Sequence, residues 1–133
     1  MNAFLVDLEN KPGSLARVAE AIAAKGINIE GISGTTCDES GRVAIVTRDE
    51  AGTRTALTEA KATFKEMEAT ETSMRHAPGT FAKAARRLAD AGINVEAIFP
   101  TGMTGSDVNV AFVTDNAAKA RETLGTATAS GQR

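Results

Sequence analysis

A Pro-Gly turn occurs twice in the chain, each time between a predicted strand and a predicted helix. Pro12-Gly13 opens one helix and Pro78-Gly79 opens another. The first N–H groups of a helix lack an acceptor within the helix, and the helix dipole adds partial positive charge there. Such an end suits a carboxylate or a phosphate, so we expect backbone donors for an anion at both turns. These donors are Gly13, Ser14 and Leu15 in the first half of the chain and Gly79, Thr80 and Phe81 in the second.

The hydroxyl residues at these turns have a second interpretation. Ser14 and Thr80 can act as ordinary N-caps, because a side-chain oxygen at that position accepts a hydrogen bond from the first helical turn. The turn glycines, Gly13 and Gly79, would let a ligand approach the backbone closely.

An asparagine follows each helix at the start of a predicted strand. Asn28 precedes Ile29, and Asn94 precedes Val95. Strand alternation places each asparagine on the face opposite its apolar neighbours. There its amide can bond the ammonium or carboxylate of a ligand. A solvent-facing strand start, or a cap on the preceding turn, is the alternative.

Asn10 and His76 occupy equivalent positions, two residues before the proline in each half. A histidine there can donate to a carboxylate, and its titration near neutrality would make binding depend on pH. An ordinary surface residue is the alternative for His76.

The chain offers little for catalysis or metal binding. It has one histidine and one cysteine, Cys37, which excludes an internal disulfide and any CxxC site. We find no nucleophile with an assignable base. We therefore predict no catalytic residue, no metal ligand and no cofactor, and expect a protein that is not an enzyme.

Charge and hydropathy exclude further classes. The net charge is −2, with acidic and basic residues interleaved, whereas nucleic-acid binders carry a basic face. The cluster of Lys83, Arg86 and Arg87 is interpreted as a solvated helix face, or else as an anion contact. The sequence has no stretch of transmembrane length and no signal-peptide pattern at its start, so we expect no membrane partner and a cytoplasmic location.

The chain contains an internal repeat with an offset of 66 residues. From Pro12 to Thr35, 11 of 24 aligned positions are identical, and after one inserted residue Val43-Ala44-Ile45-Val46-Thr47 aligns with Val110-Ala111-Phe112-Val113-Thr114. This predicts two domains, residues 1–68 and 69–133.

Each copy shows the same predicted order of elements. Residues 3–9 alternate as a strand, and a helical stripe follows. Gly26 is expected at the C-terminal end of that helix, where a positive φ is needed. Residues 27–36 and 43–48 form a predicted hairpin around Glu39-Ser40-Gly41, and Asp49 is expected to N-cap a short helix to about residue 62. The apolar stripes are Leu15, Val18, Ala19 and Ile22 in the first copy and Phe81, Ala84, Ala85 and Leu88 in the second.

This order, βαββαβ, predicts an α+β protein made of two ferredoxin-like modules, with antiparallel sheets and helices on one face. Residues 64–74 contain neither Gly nor Pro, and we expect a single long strand that serves both modules. Residues 126–133 have weak strand character, so the closing strand of the second module is expected to be weak or missing.

The repeated motif resembles that of the ACT domain. The first copy carries Asn10-Lys11-Pro12-Gly13-Ser14-Leu15 and then Gly26-Ile27-Asn28-Ile29; the second carries Pro78-Gly79-Thr80-Phe81 and then Ala91-Gly92-Ile93-Asn94-Val95. The resemblance extends to about residue 124. It implies a stand-alone tandem protein that binds an amino acid or related metabolite where two modules meet. It also implies a homodimer through the strand that holds Asn28, and a possible enzyme partner.

The resemblance assigns ligand contacts residue by residue. In serine-regulated members the contacts would fall on Asn10 and Asn28, and in the second copy on His76 and Asn94. Those members carry a further histidine where this chain has Leu8 and Met74, so serine specificity does not carry over. The predicted ligand-binding set is Asn10, Gly13, Ser14, Leu15, Asn28, Ile29, His76, Gly79, Thr80, Phe81, Asn94 and Val95.

Three other functions remain open from the residues alone. The modules can serve assembly with the same chain or an enzyme partner and bind no ligand. A ferredoxin-like enzyme would need His76 or Cys37 as a working group. An RNA-binding plait would need stacking aromatics on its central strands, where the chain offers only Phe112.

Overall fold

A computed structural model describes residues 1–125 of the chain. The elements are β1 (Asn2–Glu9), α1 (Ser14–Ala23), β2 (Ile29–Cys37), β3 (Ser40–Thr47), α2 (Glu50–Glu59), β4 (Thr63–Arg75), α3 (Thr80–Asp90), β5 (Val95–Thr104), β6 (Asp107–Thr114) and α4 (Ala117–Leu124). The predicted α+β class with antiparallel, ferredoxin-like sheets is confirmed.

The contacts cluster into two compact units, Asn2–Met67 and a second that begins at Glu68. We call residues 2–67 the N-terminal module and residues 68–125 the C-terminal module. The N-terminal module has the complete βαββαβ order, with strands arranged β2-β3-β1-β4. Strand β1 pairs antiparallel with β3, so that Phe4 faces Ile45. Its core lies between helices and sheet and contains Phe4, Val6, Val18, Ile22, Val43, Ile45, Ala56 and Leu57.

The C-terminal module repeats the arrangement as far as it is described. Strand β6 lies between β4 and β5 and pairs antiparallel with both. Its core contains Met74, Ala84, Leu88, Ile93, Val110, Phe112, Ala120 and Leu124. The weak closing strand predicted for residues 126–133 lies outside the described residues.

Strand β4 is the long strand that the sequence predicts. It runs without interruption over the 13 residues Thr63–Arg75 and crosses the boundary between the modules. Its second part pairs with β6, from Ala69 opposite Val113 to Arg75 opposite Asp107.

Glycines end the first helix of each module, as predicted. Gly26 has φ +72° and Gly92 has φ +74°, a conformation that glycine adopts without a steric cost. The chain then turns back, because the N–H of Ile27 donates to Ile22 and that of Ile93 donates to Leu88. This arrangement satisfies the last helical carbonyls and directs the chain into the next strand.

Two local predictions are wrong. The β2–β3 turn is Asp38-Glu39, not Glu39-Ser40-Gly41, because Asp38 adopts φ +56° and Ser40 already pairs with Cys37. Helix α2 ends at Glu59, earlier than expected. Asp49 does cap this helix, accepting from the N–H of Gly52 at 2.8 Å, as predicted.

The apolar stripes bury fewer residues than their spacing predicts. Val18 and Ile22 of α1 are buried, but Leu15 is 50% exposed. In α3 the buried pair is Ala84 and Leu88, and Phe81 is also 50% exposed. The first turn of each helix therefore extends beyond the closed part of the core.

In the described part of the chain, the helices are too short and too polar for any of them to cross a membrane.

Candidate ligand-binding site

A groove of about 620 Å³ opens in the N-terminal module beside the start of α1. The end of β1, the first turn of α1, the middle of β2 and the start of β3 form it. We call it the α1 groove and define it by residues 8–11, 14–15, 32–36 and 41–43. Three predicted site residues, Asn10, Ser14 and Leu15, line it. The β2 residues that complete it were not predicted.

The start of α1 leaves backbone donors at the groove. Gly13 is the N-cap with φ +92°, and no side chain caps the helix. The first helical bond runs from the N–H of Arg17 to Gly13 at 3.0 Å. The N–H groups of Leu15 and Ala16 come before this bond, so α1 itself supplies no acceptor for them. The N–H of Ser14 donates to Lys11 at 3.3 Å, which makes it a weaker candidate donor.

The N-cap interpretation of the hydroxyl residues is wrong in both modules. Gly79 caps α3 with φ +85° and again no side chain contributes. The N–H of Thr80 donates to Ala77 at 3.3 Å, which repeats the bond seen at Ser14. Ser14 and Thr80 are the first residues of their helices, so the glycine conformation sets these helix starts.

Asn10 is hydrogen-bonded to the β2–β3 turn. Its Nδ2 donates to the carbonyl of Asp38 at 2.8 Å, and its backbone N–H donates to Glu39 at 2.9 Å. The side chain therefore has a structural partner at the edge of the groove. Its carbonyl oxygen, Oδ1, is the acceptor that it can offer to a ligand.

Asn28 lies outside the α1 groove. It is exposed just before β2, and its Nδ2 donates to Glu30 at 2.9 Å. Ile32 is four residues further along, about 13 Å in an extended chain. One module therefore does not bring Asn10 and Asn28 to the same groove. Ile29, beside Asn28, packs against the core.

The matching residues of the C-terminal module are also exposed. Asn94 uses its backbone to join Asp115, donating to Oδ1 at 3.0 Å and accepting from the N–H at 3.1 Å. Val95 is 38% exposed. His76 is exposed and lies in the bend before α3.

Apolar side chains form the walls of the α1 groove. Leu15 is 50% and Ile32 is 44% exposed, and both belong to its lining. Gly34, also on β2, contributes no side chain. A glycine inside a strand pattern marks a bulge or a close approach, and β2 has two, Gly31 at a bulge and Gly34 at the groove, so this signal could have pointed to Gly34 from the sequence.

Both signs of charge lie at the groove. The ammonium of Lys11 is 3.6 Å from the carboxylate of Glu9, and both side chains are largely exposed. Arg42 is paired more closely, with Asp7 at 2.9 Å. Exposed ion pairs of this kind are weak. Lys11 and Glu9 can therefore separate and each pair with an opposite charge of a ligand, at little cost in free energy.

The equivalent place in the C-terminal module is built differently. Phe81 replaces Leu15, and its ring stacks on that of Phe112, with centroids 6.2 Å apart and planes 9° apart. Pro100 replaces Gly34: Pro100 pairs with Val110 as Gly34 pairs with Val43. The C-terminal module therefore has a side chain at the strand position where the N-terminal module has none, although Phe81 and Pro100 are both exposed.

The clearly shifted pKa values belong to an ion pair outside the groove. The guanidinium of Arg54 donates twice to Glu66, each time at 2.7 Å, and Asn2 adds a third bond at 2.6 Å. These bonds, led by that from Arg54, lower the pKa of Glu66, and the same carboxylate raises the pKa of Arg54. This pair ties α2 to β4 inside the N-terminal module.

Within residues 1–125, His, Cys, Asp and Glu side chains form no group of three or more that could hold a metal ion.

One family model matches part of the chain. A model of the ACT domain matches residues 3–64, nearly the whole N-terminal module including the α1 groove. No curated protein matches the chain.

Solved structures match most of the chain. A protein from Bacteroides thetaiotaomicron superposes with a TM-score of 0.79 at 24% identity, covering 92% of this chain and 85% of that one. The ligand-free regulatory subunit of aspartate kinase from Thermus thermophilus superposes with a TM-score of 0.65 at 19% identity, covering 92% of this chain and 88% of that one. A structure of aspartokinase alpha and beta subunits superposes with a TM-score of 0.66 at 23% identity, covering 92% of this chain and 89% of that one. The chain therefore has the fold of these proteins, and its residues 3–64 carry the sequence pattern of the ACT domain.

Proposed function

We propose that this chain is a regulatory protein of two ACT-type modules that performs no catalysis and binds a free amino acid in the α1 groove. One observation carries the proposal. The groove lies at the β1–α1 turn, inside the segment that matches the ACT domain, and it combines apolar walls with both signs of charge. An amino acid has the same combination.

The polar groups of the groove suit a zwitterion. The α-carboxylate would accept from the N–H groups of Leu15 and Ala16, beside Lys11. The ammonium would donate to Oδ1 of Asn10 and to Glu9. The helix dipole contributes about 0.3–1 kcal/mol and each hydrogen bond about 0.5–1.5 kcal/mol. The expected affinity is millimolar to micromolar, about −4 to −8 kcal/mol, which suits the sensing of abundant metabolites.

Asn28 is proposed to reach the ligand from a second copy of the chain. Strand β2 lies at the end of the strand order in the N-terminal module. An edge strand presents N–H and C=O groups that pair readily with another strand. A dimer through β2 would bring Asn28 of one copy towards the turn of the other. Asn28→Ala is then expected to weaken binding and leave the melting temperature unchanged.

The output of binding is proposed to be a change in an enzyme partner. Two proteins of the same fold are described as an aspartate kinase regulatory subunit and aspartokinase subunits. This supports a regulatory subunit that acts on a separate catalytic chain.

The test is a thermal-shift screen against the twenty amino acids at millimolar concentration, followed by calorimetric titration of each positive compound. A ligand that binds only the folded state raises the melting temperature by mass action. A selective increase supports the proposal and names the ligand. No increase and no heat of binding with any amino acid would contradict it.

The edge position of β2 also favours a second candidate, an assembly module without a ligand. Among the described residues of the N-terminal module, β2 pairs with β3 alone. A dimer whose dissociation constant is unaffected by all twenty amino acids would support this function. A partner enzyme would then be sought by affinity capture.

A further inference from the structure

We infer that the α1 groove selects an amino acid with an aliphatic side chain, and that Gly34, Leu15 and Ile32 determine this specificity. The inference rests on the proposed function and adds the class of ligand to it. The lining of the groove around Gly34 carries the argument.

Neither backbone strain nor packing requires glycine at position 34. Gly34 is outside the positive-φ region, and a Cβ built there would lie 3.4 Å from the carbonyl oxygen of Arg42 and 3.5 Å from Cγ2 of Val43. These are ordinary contacts. A glycine inside a strand costs stability relative to a residue with a side chain, and it often marks a close approach by a ligand. The missing side chain leaves room in the groove, and the fold itself does not need that room.

The space beside Gly34 is apolar. Gly34 pairs with Val43 and Ile32 pairs with Ile45, so these residues share the sheet face that carries the core. Leu15 projects from the first turn of α1 to the same groove. Leu15 and Ile32 are large aliphatic side chains that are about half exposed, so each still has apolar area that a ligand's apolar group can cover.

The charges flanking the groove favour a ligand that carries charge over a purely hydrocarbon one. Lys11 and Glu9 lie 3.6 Å apart at its entrance, so the preferred occupant carries both charges next to an aliphatic group. A free amino acid such as valine, leucine or isoleucine meets this description. Serine would bury less apolar area against Leu15 and Ile32 than leucine does, so we expect it to bind less tightly.

The C-terminal module shows that the same fold accepts a side chain at this strand position. Pro100 places a ring at the position of Gly34, and Phe81 stacks on Phe112. A substitution that adds a side chain at Gly34 should therefore close the groove and preserve the fold.

The experiment is calorimetric titration of the full chain with glycine, alanine, valine, leucine and serine. Burial of each additional methylene is expected to raise affinity about fourfold, so leucine should bind at least tenfold more tightly than alanine or serine. Gly34→Val should reduce leucine affinity tenfold or more, with a smaller effect on alanine. Leu15→Asn is a second variant at a half-exposed position, and should reduce the preference of leucine over serine. Pro100→Ala, at the equivalent place in the other module, is the matched control and should change neither affinity.

The outcomes separate this inference from the proposed function. Serine binding as tightly as leucine, or an unchanged preference for leucine in folded Gly34→Val and Leu15→Asn, would overturn the aliphatic specificity and leave amino-acid binding intact. Absence of binding by every amino acid would instead overturn the proposed function, and this inference with it.

Discussion

The two modules carry different residues at equivalent positions of their fold. In the N-terminal module Leu15 and Gly34 border the α1 groove; in the C-terminal module Phe81 and Pro100 stand at the corresponding positions, and Phe81 stacks on Phe112. The cores and the glycine helix ends are alike. Leu15 and Phe81 are each 50% exposed, so the two modules differ at this place mainly in the strand residue, Gly34 or Pro100.

The largest expected effect is on packing in the C-terminal module. Phe112 is 1% exposed and supports the ring of Phe81. Phe112→Ala removes a buried aromatic ring and leaves a cavity, at a cost of about 3–5 kcal/mol. Urea denaturation measures this change. Ligand affinity of the folded fraction should stay at the wild-type value, and a loss of affinity would place the site in the C-terminal module.

Leu15 of α1 and Phe81 of α3 occupy equivalent positions, and we expect their replacement to affect different properties. Leu15→Ala should lower ligand affinity about tenfold with little change in stability, because Leu15 is half exposed. Phe81→Ala should lower stability by about 0.5–1.5 kcal/mol through the lost ring pair and leave affinity unchanged. Calorimetry and urea denaturation of both variants check this. The reverse pattern would show that the ligand site is assigned to the wrong module.

Helix caps should behave alike in the two modules. Asp49 accepts from Gly52 at 2.8 Å and Asn116 accepts from Lys119 at 3.1 Å. Replacement of either by alanine should cost about 1 kcal/mol in the free energy of unfolding. Ser14→Ala and Thr80→Ala should each cost less than about 0.5 kcal/mol, because neither caps its helix. A full cap penalty at Ser14 or Thr80 would contradict the helix starts described above.

The smallest expected effect concerns acid stability of the N-terminal module. The pKa of Glu66 is lowered from its usual 4.5, so its folded form binds a proton less readily than its unfolded form. Its contribution to stability is therefore complete above pH 4.5 and disappears as the pH falls through the folded pKa. Glu66→Gln should lower the melting temperature slightly at pH 7, and the difference from wild type should shrink below pH 4.5. An equal difference at pH 7 and pH 3 would remove the Arg54 pair as the cause.

Local signals account for what the sequence predicts correctly. Gly26, Gly92 and Asp49 act through their own backbone or the next helical turn, so their roles are visible without the tertiary structure. The long strand β4 follows in the same way, since residues 64–74 lack Gly and Pro. The assignment of the two units as separate domains stays a prediction.

Contacts between distant residues account for what it misses. The Asn10 amide meets Asp38, 28 residues away, and only the folded hairpin brings them together. Helical spacing predicts that Leu15 faces the sheet, but not that the strands beneath it leave it half exposed. The turn is Asp38-Glu39 and not Glu39-Ser40-Gly41, because Asp38 adopts a left-handed conformation. The β2 wall of the groove depends on strand pairing, which the sequence pattern does not reveal.

The most direct test of the account is an NMR titration of the ¹⁵N-labelled full chain with the amino acid that binds most tightly in the screen. The account predicts saturable shifts of backbone amides in residues 10–16 and 32–36, with one ligand bound per chain. Shifts centred on residues 76–82 and 98–102 would contradict it, because binding would then occur in the C-terminal module and not in the α1 groove.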